Sequence, residues 1–417
     1  MSTAPRVVIT GMGAISSLGK SVEEIWTAIL RKEVGYSYRE INPQTIESRF
    51  FGFVDLTRED MKKIPKGLQR QTPRFAHLSL LATQEAVQQA FGQSHPTDSY
   101  SPFECGVILG TGWGGSEGGS THATDYRTTG FAHPFATLLS MASVATASTT
   151  MLYKLFGYQN TPIAACATGA IAVGEAWRII REGSAKMVIA GGAEAMHDEY
   201  SVWTIDVLNA LSREKSDVRK ACCPFSKNRN GFILSEGAAV LVLEERESAL
   251  ARGATILAEI TGYANYSDGH EFTAPAPDTA ARTLTIKKAL ERAGLGPNQI
   301  DYINAHGTST PLNDYLESLA IKRALGDFAY QTPMSSTKSY TGHLISAAGS
   351  LETIFCIKSI QERLIPATLH LDEPDEQCDL DFVPHEHRRP DKVDACLNLS
   401  FGFGGANAAL IIERDRS

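Results

Sequence analysis

Short apolar segments rich in β-branched residues alternate with longer helical patterns along this 417-residue chain, and this alternation restricts the fold more than any other feature. The apolar segments cover residues 7–10, 106–110, 187–192 and 239–243. Continuously apolar strands of this kind are usually covered by helices on both faces, and helical patterns lie over 171–181, 279–293 and 344–363. The sequence therefore predicts an α/β protein whose sheets are inner layers.

A weak internal echo indicates a duplicated chain. Val8-Ile-Thr-Gly near the start is matched by Glu259-Ile-Thr-Gly near the midpoint. A serine follows each segment a few residues later, Ser16 in the first case and Ser267 in the second. No low-complexity linker separates the two parts, so we expect them to pack as one body. The predicted organisation is an N-terminal half over residues 1–253 and a C-terminal half over residues 254–417.

Composition restricts the compartment and the partners. The formal net charge of -8 argues against a nucleic-acid backbone as the main partner. No apolar run of about 18 residues predicts a membrane helix. The 7 cysteines show no C-x-x-C pair, and their odd number suits a reducing compartment. We expect a cytoplasmic protein with free thiols, no metal ion and no membrane partner.

Cys166 is the strongest candidate for a catalytic residue. It lies in Thr161-Pro-Ile-Ala-Ala-Cys-Ala-Thr-Gly-Ala, where an apolar strand is predicted to end and a helix to begin. The N-terminal end of a helix carries partial positive charge and unpaired N–H groups, which lower a thiol pKa and hold a developing oxyanion. This placement indicates an acyl-transfer nucleophile, although a lone cysteine is more often a small buried hydrophobe.

Two histidine motifs follow in the C-terminal half. In the first, an apolar strand ends at His306 and runs into a turn of Gly, Thr, Ser and Pro, a place where α/β proteins commonly build sites. The second places Lys338 and His343 in a polar loop before an Ala-rich helix. A histidine considered alone is more often a hydrogen-bonded surface or core residue than a catalytic one. Zinc binding is disfavoured because no third ligand lies at a suitable spacing.

A glycine-rich segment near the C-terminus, Leu399-Ser-Phe-Gly-Phe-Gly-Gly-Ala-Asn, predicts a tight turn between two final strands. Gly402, Gly404 and Gly405 let the backbone bend and approach a ligand closely. A phosphate-binding loop is excluded here, because no helix and no acidic ribose partner follow the segment.

Taken in order, these motifs resemble the β-ketoacyl-acyl carrier protein synthases of the decarboxylating, two-histidine type, closest to the KAS II condensing enzymes of fatty acid synthesis. The resemblance covers essentially the whole chain and includes further segments at 191–195, 224–232 and 378–385. It implies a thiolase-like α/β fold, duplicated in a five-layer αβαβα architecture. It also implies an acyltransferase without a cofactor of its own, because the phosphopantetheine belongs to the acyl carrier protein.

The resemblance implies a role for each site residue. Cys166 would take the acyl chain as a thioester, and His306 and His343 would stabilise the enolate formed when malonyl-acyl carrier protein loses carbon dioxide. The N–H groups of Cys166 and Phe403 would form the oxyanion hole, and Phe403 would also gate the acyl pocket. Lys338 would orient and polarise the histidines. The expected supporting residues are Glu317, Asn304, Gly402 and Gly404.

Departures from the family bear on the substrate. Trp113, where relatives usually carry a smaller residue, would shorten the acyl pocket, whereas Ala136 beside Phe135 would restore volume. We expect a short or unsaturated primer, in fatty acid synthesis or, alternatively, in a specialised polyketide or polyene pathway. A degradative thiolase is disfavoured because the glycine turn lacks a cysteine. A silent chain-length subunit is disfavoured because Cys166 is present.

The expected partners are an acyl carrier protein and a second subunit. A basic stretch in this acidic protein suits the acidic helices that carrier proteins present, and its members are Lys62, Lys63, Lys66, Arg70 and Arg74. Asn209 replaces a basic residue that relatives often use for the carrier, which favours a dedicated carrier. Thiolase-like folds generally pair, which predicts a homodimer, with a heterodimeric mate as the alternative.

Overall fold

The computed structural model describes residues 4–416 as an alternation of strands and helices. The strands are β1 (Val7–Ser16), β2 (Ser37–Tyr38), β3 (Phe50–Gly52), β4 (Cys105–Gly110), β5 (Gln159–Asn160), β6 (Met187–Glu194), β7 (Leu234–Ser235), β8 (Gly237–Glu245), β9 (Ala258–Ser267), β10 (Tyr302–Asn304), β11 (Met334–Ser335), β12 (Ala395–Gly402) and β13 (Ala406–Glu413). The α-helices are α1 (Val22–Leu30), α2 (Arg58–Lys62), α3 (Lys66–Gln71), α4 (Arg74–Phe91), α5 (Pro96–Ser99), α6 (Ser116–Thr129), α7 (Ala136–Leu139), α8 (Val144–Tyr153), α9 (Thr168–Arg181), α10 (Glu199–Asp206), α11 (Val218–Ala221), α12 (Arg246–Ala251), α13 (Ala280–Ala293), α14 (Pro311–Leu325), α15 (Lys338–Thr341) and α16 (Ala348–Glu362). No helix among these residues is long and apolar enough to cross a membrane.

The large sheet consists of two groups of strands with the same topology. The spatial order is β1-β8-β6-β4-β5 in the N-terminal half and β9-β13-β12-β10-β11 in the C-terminal half. In each group the first three strands pair antiparallel and the remaining pairs are parallel. β1 and β9 pair antiparallel and join the groups. Order and direction are the same in both halves, so the chain is duplicated, as the sequence echo predicted.

The Ile-Thr-Gly echo marks equivalent irregularities in the two halves. β1 shifts its register against β8 at Thr10, and β9 shifts its register against β13 at Thr261. Gly11 then packs against the backbone of α4 and Gly262 against that of α13, where a Cβ atom would lie 2.1 and 2.2 Å from a carbonyl oxygen. In both halves the strand passes too close to a helix for any side chain, so only glycine fits.

Side chains on the two faces of each strand group pack against different helices, so the molecule has five layers of secondary structure. α9 and α16 form the middle layer and pack against the inner faces of both strand groups. α4 and α8 cover the outer face of the N-terminal group, and α13 and α14 cover the outer face of the C-terminal group. The order is therefore αβαβα, and both strand groups are inner layers, as the apolar segments predicted.

The two middle helices begin in the same way. Ala165, at φ 46°, and Ile345, at φ 49°, each start a 3₁₀ turn that continues into α9 or α16. Gly169 allows these ends to approach, since a Cβ atom there would lie 2.6 Å from the carbonyl oxygen of Ser346. Cys166 and Ser346 thus occupy equivalent places in the two halves, at the centre of the molecule.

Candidate active site

Three side chains capable of nucleophilic or acid–base chemistry meet in a cavity of about 400 Å³ between the two halves. Cys166 lies in the turn between β5 and α9 and is 6% exposed. One ring nitrogen of His306 and one of His343 lie within 4.8 Å of its sulfur and of each other. The structure therefore brings together a thiol from one half and two imidazoles from the other.

The backbone around each histidine is fixed by hydrogen bonds. The carboxylate of Glu317, in α14, accepts the N–H groups of His306 and of the following glycine at 2.7 and 2.8 Å. His343 lies against β7, donating its N–H to the carbonyl of Ile233 at 2.8 Å and accepting the N–H of Ser235 at 3.0 Å. The imidazoles are thus carried by rigid segments, which favours a preorganised site.

A buried ion pair lies behind the histidines. Nζ of Lys338 pairs with the carboxylate of Glu352, in α16, and lies 3.4 Å from Nδ1 of His306. Asn304, at the end of β10, donates to the hydroxyl of Thr337 at 3.4 Å and so adjoins the lysine from the strand side. Sequence reasoning missed Glu352. The available signal was an acid in the apolar first part of α16, because a charge in such a place needs a partner.

Both imidazoles are neutral. Burial and the charge of Lys338 hold the pKa values of His306 and His343 well below the usual range. Nδ1 of His343 accepts the N–H of Ile345 at 3.3 Å, and Nδ1 of His306 faces the Lys338 ammonium, so each ring carries its proton on Nε2. Within residues 4–416, Nε2 of His343 is buried and meets no acceptor. Each ring can therefore donate to a substrate oxygen that becomes negative.

The thiol of Cys166 differs from the sequence-based expectation. Burial raises its pKa to about 12, while the charge of Lys338 and the N–H groups of Phe403 and of Cys166 itself act in the opposite direction. The prediction of a lowered pKa is therefore wrong, because burial of the sulfur outweighs the effect of the helix end. The two N–H groups nevertheless lie beside the sulfur, where the oxygen of an acyl intermediate would be held.

The glycine turn carries Phe403 to Cys166. Gly402 passes so close to the Cys166 segment that a Cβ atom would lie 2.7 Å from a carbonyl oxygen of that segment. Gly404 has φ 79°, a conformation that disfavours a side chain, and donates its N–H to the carbonyl of Phe272 at 2.6 Å. The turn is thus packed against the Cys166 segment on one side and hydrogen-bonded to an exposed loop on the other.

A second buried acid supports the site from the N-terminal half. Glu194, at the end of β6, accepts the N–H groups of Gly112 and Trp113 at 2.9 and 3.3 Å. It also accepts the hydroxyl of Ser346 at 2.7 Å. The loop of Trp113 is thereby fixed to the turn that follows His343. Sequence reasoning did not assign this role, although an acid at the end of an apolar strand was a usable signal.

Only one of the three predicted acyl-pocket residues packs against the apolar cluster that contains Cys166. Trp113 packs in the same apolar cluster as Cys166. Phe135 precedes α7 and Ala136 is its first residue, in a partly exposed segment, and among the described residues they belong neither to that cluster nor to the lining of the cavity. Within one chain, therefore, this segment does not shape the space around Cys166.

The basic stretch is exposed except for one member. The exposed residues, in and between α2 and α3, are Lys62, Lys63, Lys66 and Arg70. Arg74 instead donates to the buried carboxylate of Glu236, at 2.8 and 2.5 Å, and to the carbonyl of Val54 at 2.5 Å. Because its charge is compensated inside the protein, Arg74 does not belong to the docking stretch that the sequence suggested.

The same thiol and imidazoles form the one cluster of possible metal ligands in the described range, 4–416. The ammonium of Lys338, 3.4 Å from Nδ1 of His306, opposes the binding of a cation by this cluster. The charge distribution therefore suits an anionic intermediate better than a metal ion.

Sequence comparison agrees with this geometry. Residues 4–249 match the family described as Beta-ketoacyl synthase, N-terminal domain, and residues 257–372 match the corresponding C-terminal domain. The chain therefore belongs to the β-ketoacyl synthase family. It is 39% identical to the 3-oxoacyl-[acyl-carrier-protein] synthase 2 of Synechocystis sp., with 98% of both chains covered.

Two solved structures share the fold over almost the whole chain. One is a type II polyketide synthase acyl carrier protein in complex with its ketosynthase bound to the hexaketide, and the other is the ishigamide ketosynthase/chain length factor. Each has a TM-score of 0.90 and 30% identity, covering 99% of this chain and 100% of the other. The expected thiolase-like fold is confirmed.

Replacing Glu352 with Gln should lower the free energy of unfolding by about 3–5 kcal/mol, because the Lys338 ammonium would stay buried without a counter-charge. Chemical denaturation measures the change. The matched control is Glu362→Gln, near the end of the same helix, where the partly exposed pair with Lys358 should contribute less than about 1 kcal/mol. Equal losses in the two variants would contradict this role of the buried pair.

Glu317 should make stability depend on pH. Burial raises its pKa from 4.5 to about 7, against the N–H groups that it accepts. The folded state therefore binds this proton more tightly than the unfolded state, and the contribution to the free energy of unfolding falls as pH rises from about 4.5 to about 7. Glu317→Gln should remove this part of the fall, measured by urea unfolding across that range. The same slope in both proteins would exclude the titration.

Proposed function

We propose that the protein is a 3-oxoacyl-acyl carrier protein synthase. It would catalyse the decarboxylative Claisen condensation of an acyl primer on Cys166 with malonyl-acyl carrier protein, giving 3-oxoacyl-acyl carrier protein and carbon dioxide. The observation that carries the proposal is the buried meeting of one thiol and two neutral imidazoles within 4.8 Å. A relative that matches over the whole chain bears the name of this activity.

Acyl transfer is the first step of the proposed reaction. The sulfur of Cys166 attacks the carbonyl carbon of the carrier's thioester, a carbon–sulfur bond forms, and the bond to the phosphopantetheine sulfur breaks. The thiol proton passes to the departing sulfur, so no net proton is needed. The N–H groups of Cys166 and Phe403 are placed to stabilise the oxyanion, and each such donor is typically worth about 3 kcal/mol.

Decarboxylation and condensation use the imidazoles. The thioester carbonyl of the malonyl group accepts the Nε2–H groups of His306 and His343 while the bond to the carboxylate breaks and carbon dioxide leaves. The electron pair forms an enolate, whose carbon attacks the thioester on Cys166. The cysteine sulfur leaves as a thiolate and takes up one proton, which restores the thiol.

The primer is proposed to be short or unsaturated. Trp113 packs against the apolar cluster that contains Cys166, and its backbone N–H is held by the buried carboxylate of Glu194, which supports a large ring near the acyl-binding space. A specialised polyketide or polyene pathway is the second candidate function. The observation that favours it is this large ring in the same apolar cluster as Cys166.

The carrier is proposed to dock over the rim of the cavity. Leu208, Phe272 and Leu312 line the cavity and are 45%, 89% and 47% exposed, which gives the rim an apolar surface. Lys66 and Arg70 lie on the exposed side of α3 and supply charge that attracts an acidic partner. Asn209, also at the rim, accepts a hydrogen bond from Arg213 at 2.9 Å and offers the carrier no charge.

A second subunit is proposed to pair along β5. This strand lies at the end of the large sheet and is exposed, so it presents unpaired backbone groups. Large apolar side chains accompany it, with Ile163 62% and Met151 59% exposed. A homodimer is the simplest arrangement, and a chain-length subunit is the alternative mate.

Condensation should be confined to short or unsaturated primers in a series from two to sixteen carbons, with product detected by mass spectrometry of the intact carrier. Trp113→Gly should extend the range to saturated long chains, because it removes a large ring from the apolar cluster that contains Cys166. Cys166→Ala should give no acyl-enzyme. Equal use of long and short saturated primers by the wild-type protein would make the pocket proposal wrong, and absence of any condensation would refute the proposed function.

Charge reversal on α3 should affect only delivery by the carrier. Lys66→Glu combined with Arg70→Glu should slow acylation of Cys166 by an acyl carrier protein about tenfold at low salt and less at high salt, since the attraction is electrostatic. Acylation by the same acyl group on N-acetylcysteamine should be unchanged. A similar loss with both donors would show that the substitutions act on the fold rather than on docking.

A further inference from the structure

A buried arginine in the wall of the cavity is not used by the reaction described above. Arg282 lies in the first turn of α13, is 5% exposed, and lines the same cavity as Cys166 and His306. Its guanidinium stacks over the ring of Phe401, with the central carbon 4.3 Å from the ring centroid. That ring in turn lies 5.8 Å from the imidazole of His306. The ring of Phe401 thus adjoins both the cation and the imidazole.

Within residues 4–416, the guanidinium has few partners. Nη1 donates to the amide oxygen of Asn313 at 3.1 Å, and Nε is buried and donates to nothing. Three carboxylates lie near enough to favour its charge, but each is engaged elsewhere. Glu317 accepts backbone N–H groups beside His306, Asp314 accepts the N–H of Phe225, and Asp268 accepts the amide of Asn407. None of the three forms an ion pair with Arg282.

Burial of Arg282 without an ion pair destabilises the folded protein when no ligand is bound. An arginine is rarely buried without an ion pair, because the desolvation of its charge is then uncompensated. Burial lowers the pKa of Arg282, which has the same cause. The first turn of a helix is also an unfavourable place for a cation and a favourable one for an anion. The unpartnered nitrogen and the helix end both favour a negatively charged ligand in the cavity.

We propose that Arg282 binds a carboxylate that the carrier's arm brings into the cavity. The proposal rests on the proposed function, since it concerns the substrate of that same site. A planar guanidinium matches a carboxylate with parallel hydrogen bonds, and Nε together with a second nitrogen forms one such edge. The carboxylate belongs either to the malonyl extender or to a dicarboxylic acyl primer. In both cases Arg282 determines which acyl groups the site accepts.

The position of Arg282 favours a carboxylate over the phosphate of the arm. The rim residues Leu208, Phe272 and Leu312 are well exposed, whereas Arg282 is buried beside Phe401 and so lies deeper in the cavity. The phosphate is at the opposite end of the arm from the thioester and stays nearer to the rim. The group that reaches Arg282 is therefore part of the acyl unit.

The test compares charged and neutral acyl groups in Arg282→Gln and Arg282→Lys. Three rates are measured: acylation of Cys166 by hexanoyl-carrier, acylation by glutaryl-carrier, and condensation of hexanoyl-enzyme with malonyl-carrier over a range of malonyl-carrier concentrations. Arg292→Gln is the matched control, because Arg292 lies in the same helix but donates to the carbonyl of Tyr263 and does not line the cavity. Thermal unfolding shows which variants are folded.

We expect Arg282→Gln to leave hexanoyl acylation within about twofold of wild type, and Arg282→Lys to retain part of the lost function. A rise of about ten- to a hundredfold in KM for malonyl-carrier identifies the extender as the source of the carboxylate. A similar fall in glutaryl acylation identifies the primer. Arg292→Gln should change none of the three rates.

Two outcomes would overturn the proposal. Equal losses for neutral and charged groups would mean that Arg282 supports the fold or contacts the phosphate, and unchanged rates for both charged groups would mean that it binds no carboxylate. If Arg282→Gln does not fold, the comparison is made with Arg282→Lys. In that variant a uniform fall in kcat for neutral and charged groups would likewise mean that Arg282 supports the fold or contacts the phosphate. Failure of wild type to condense hexanoyl with malonyl groups would instead refute the proposed function.

Discussion

The ion pair between Lys338 and Glu352 sits in the middle layer of the fold, and the chemistry of the site follows from it. A charge at that depth is tolerated only beside a counter-charge, so the lysine that follows β11 is bound to the central helix α16. The pair places a cation next to His306, which helps to keep both imidazoles neutral and assigns the proton of His306 to Nε2. The same cation partly offsets the burial that raises the pKa of Cys166. One buried charge thus influences the protonation of three reacting side chains.

Duplication explains why a site of this kind lies between the halves. Each half ends a strand near the centre and begins a helix with the same left-handed residue and 3₁₀ turn, so two equivalent turns meet there. In the N-terminal half the turn presents the thiol of Cys166. In the C-terminal half the equivalent residue is Ser346, whose hydroxyl donates to Glu194 and ties the turn to the loop of Trp113. One turn presents a thiol to the cavity, and its counterpart is tied through Glu194 to the loop of Trp113.

The sequence predicted what depends on local pattern. His306 and the glycine turn lie where apolar strands end in unusual residues, and such places are visible in the order of residues alone. The residues around Cys166 were also distinctive, but the apolar strand predicted before it is wrong, because β5 consists of the exposed residues Gln159 and Asn160. The sequence did not predict the roles of three buried charged residues, Glu352, Glu194 and Arg282. They lie inside or at the end of regular elements, and their roles depend on contacts with residues distant in sequence. Arg74 and the thiol pKa were misjudged for the same reason. Glu236 lies 162 residues from Arg74, and the burial of Cys166 requires both halves to be in place.

A cation that binds a carboxylate helps the substrate to bind but can slow its decarboxylation, and the role of Arg282 has to be consistent with both effects. Binding the malonyl carboxylate tightly stabilises the ground state, whereas the rate rises only with interactions that strengthen toward the transition state. As the carbon–carbon bond breaks, charge leaves the carboxylate and reaches the thioester oxygen held by His306 and His343. The guanidinium then keeps the amide oxygen of Asn313 and the π face of Phe401 as partners, and three carboxylates remain nearby to favour its charge. Since these interactions do not depend on the substrate, the loss of neutral carbon dioxide does not leave the cation wholly uncompensated, and the contact can orient the extender without trapping it.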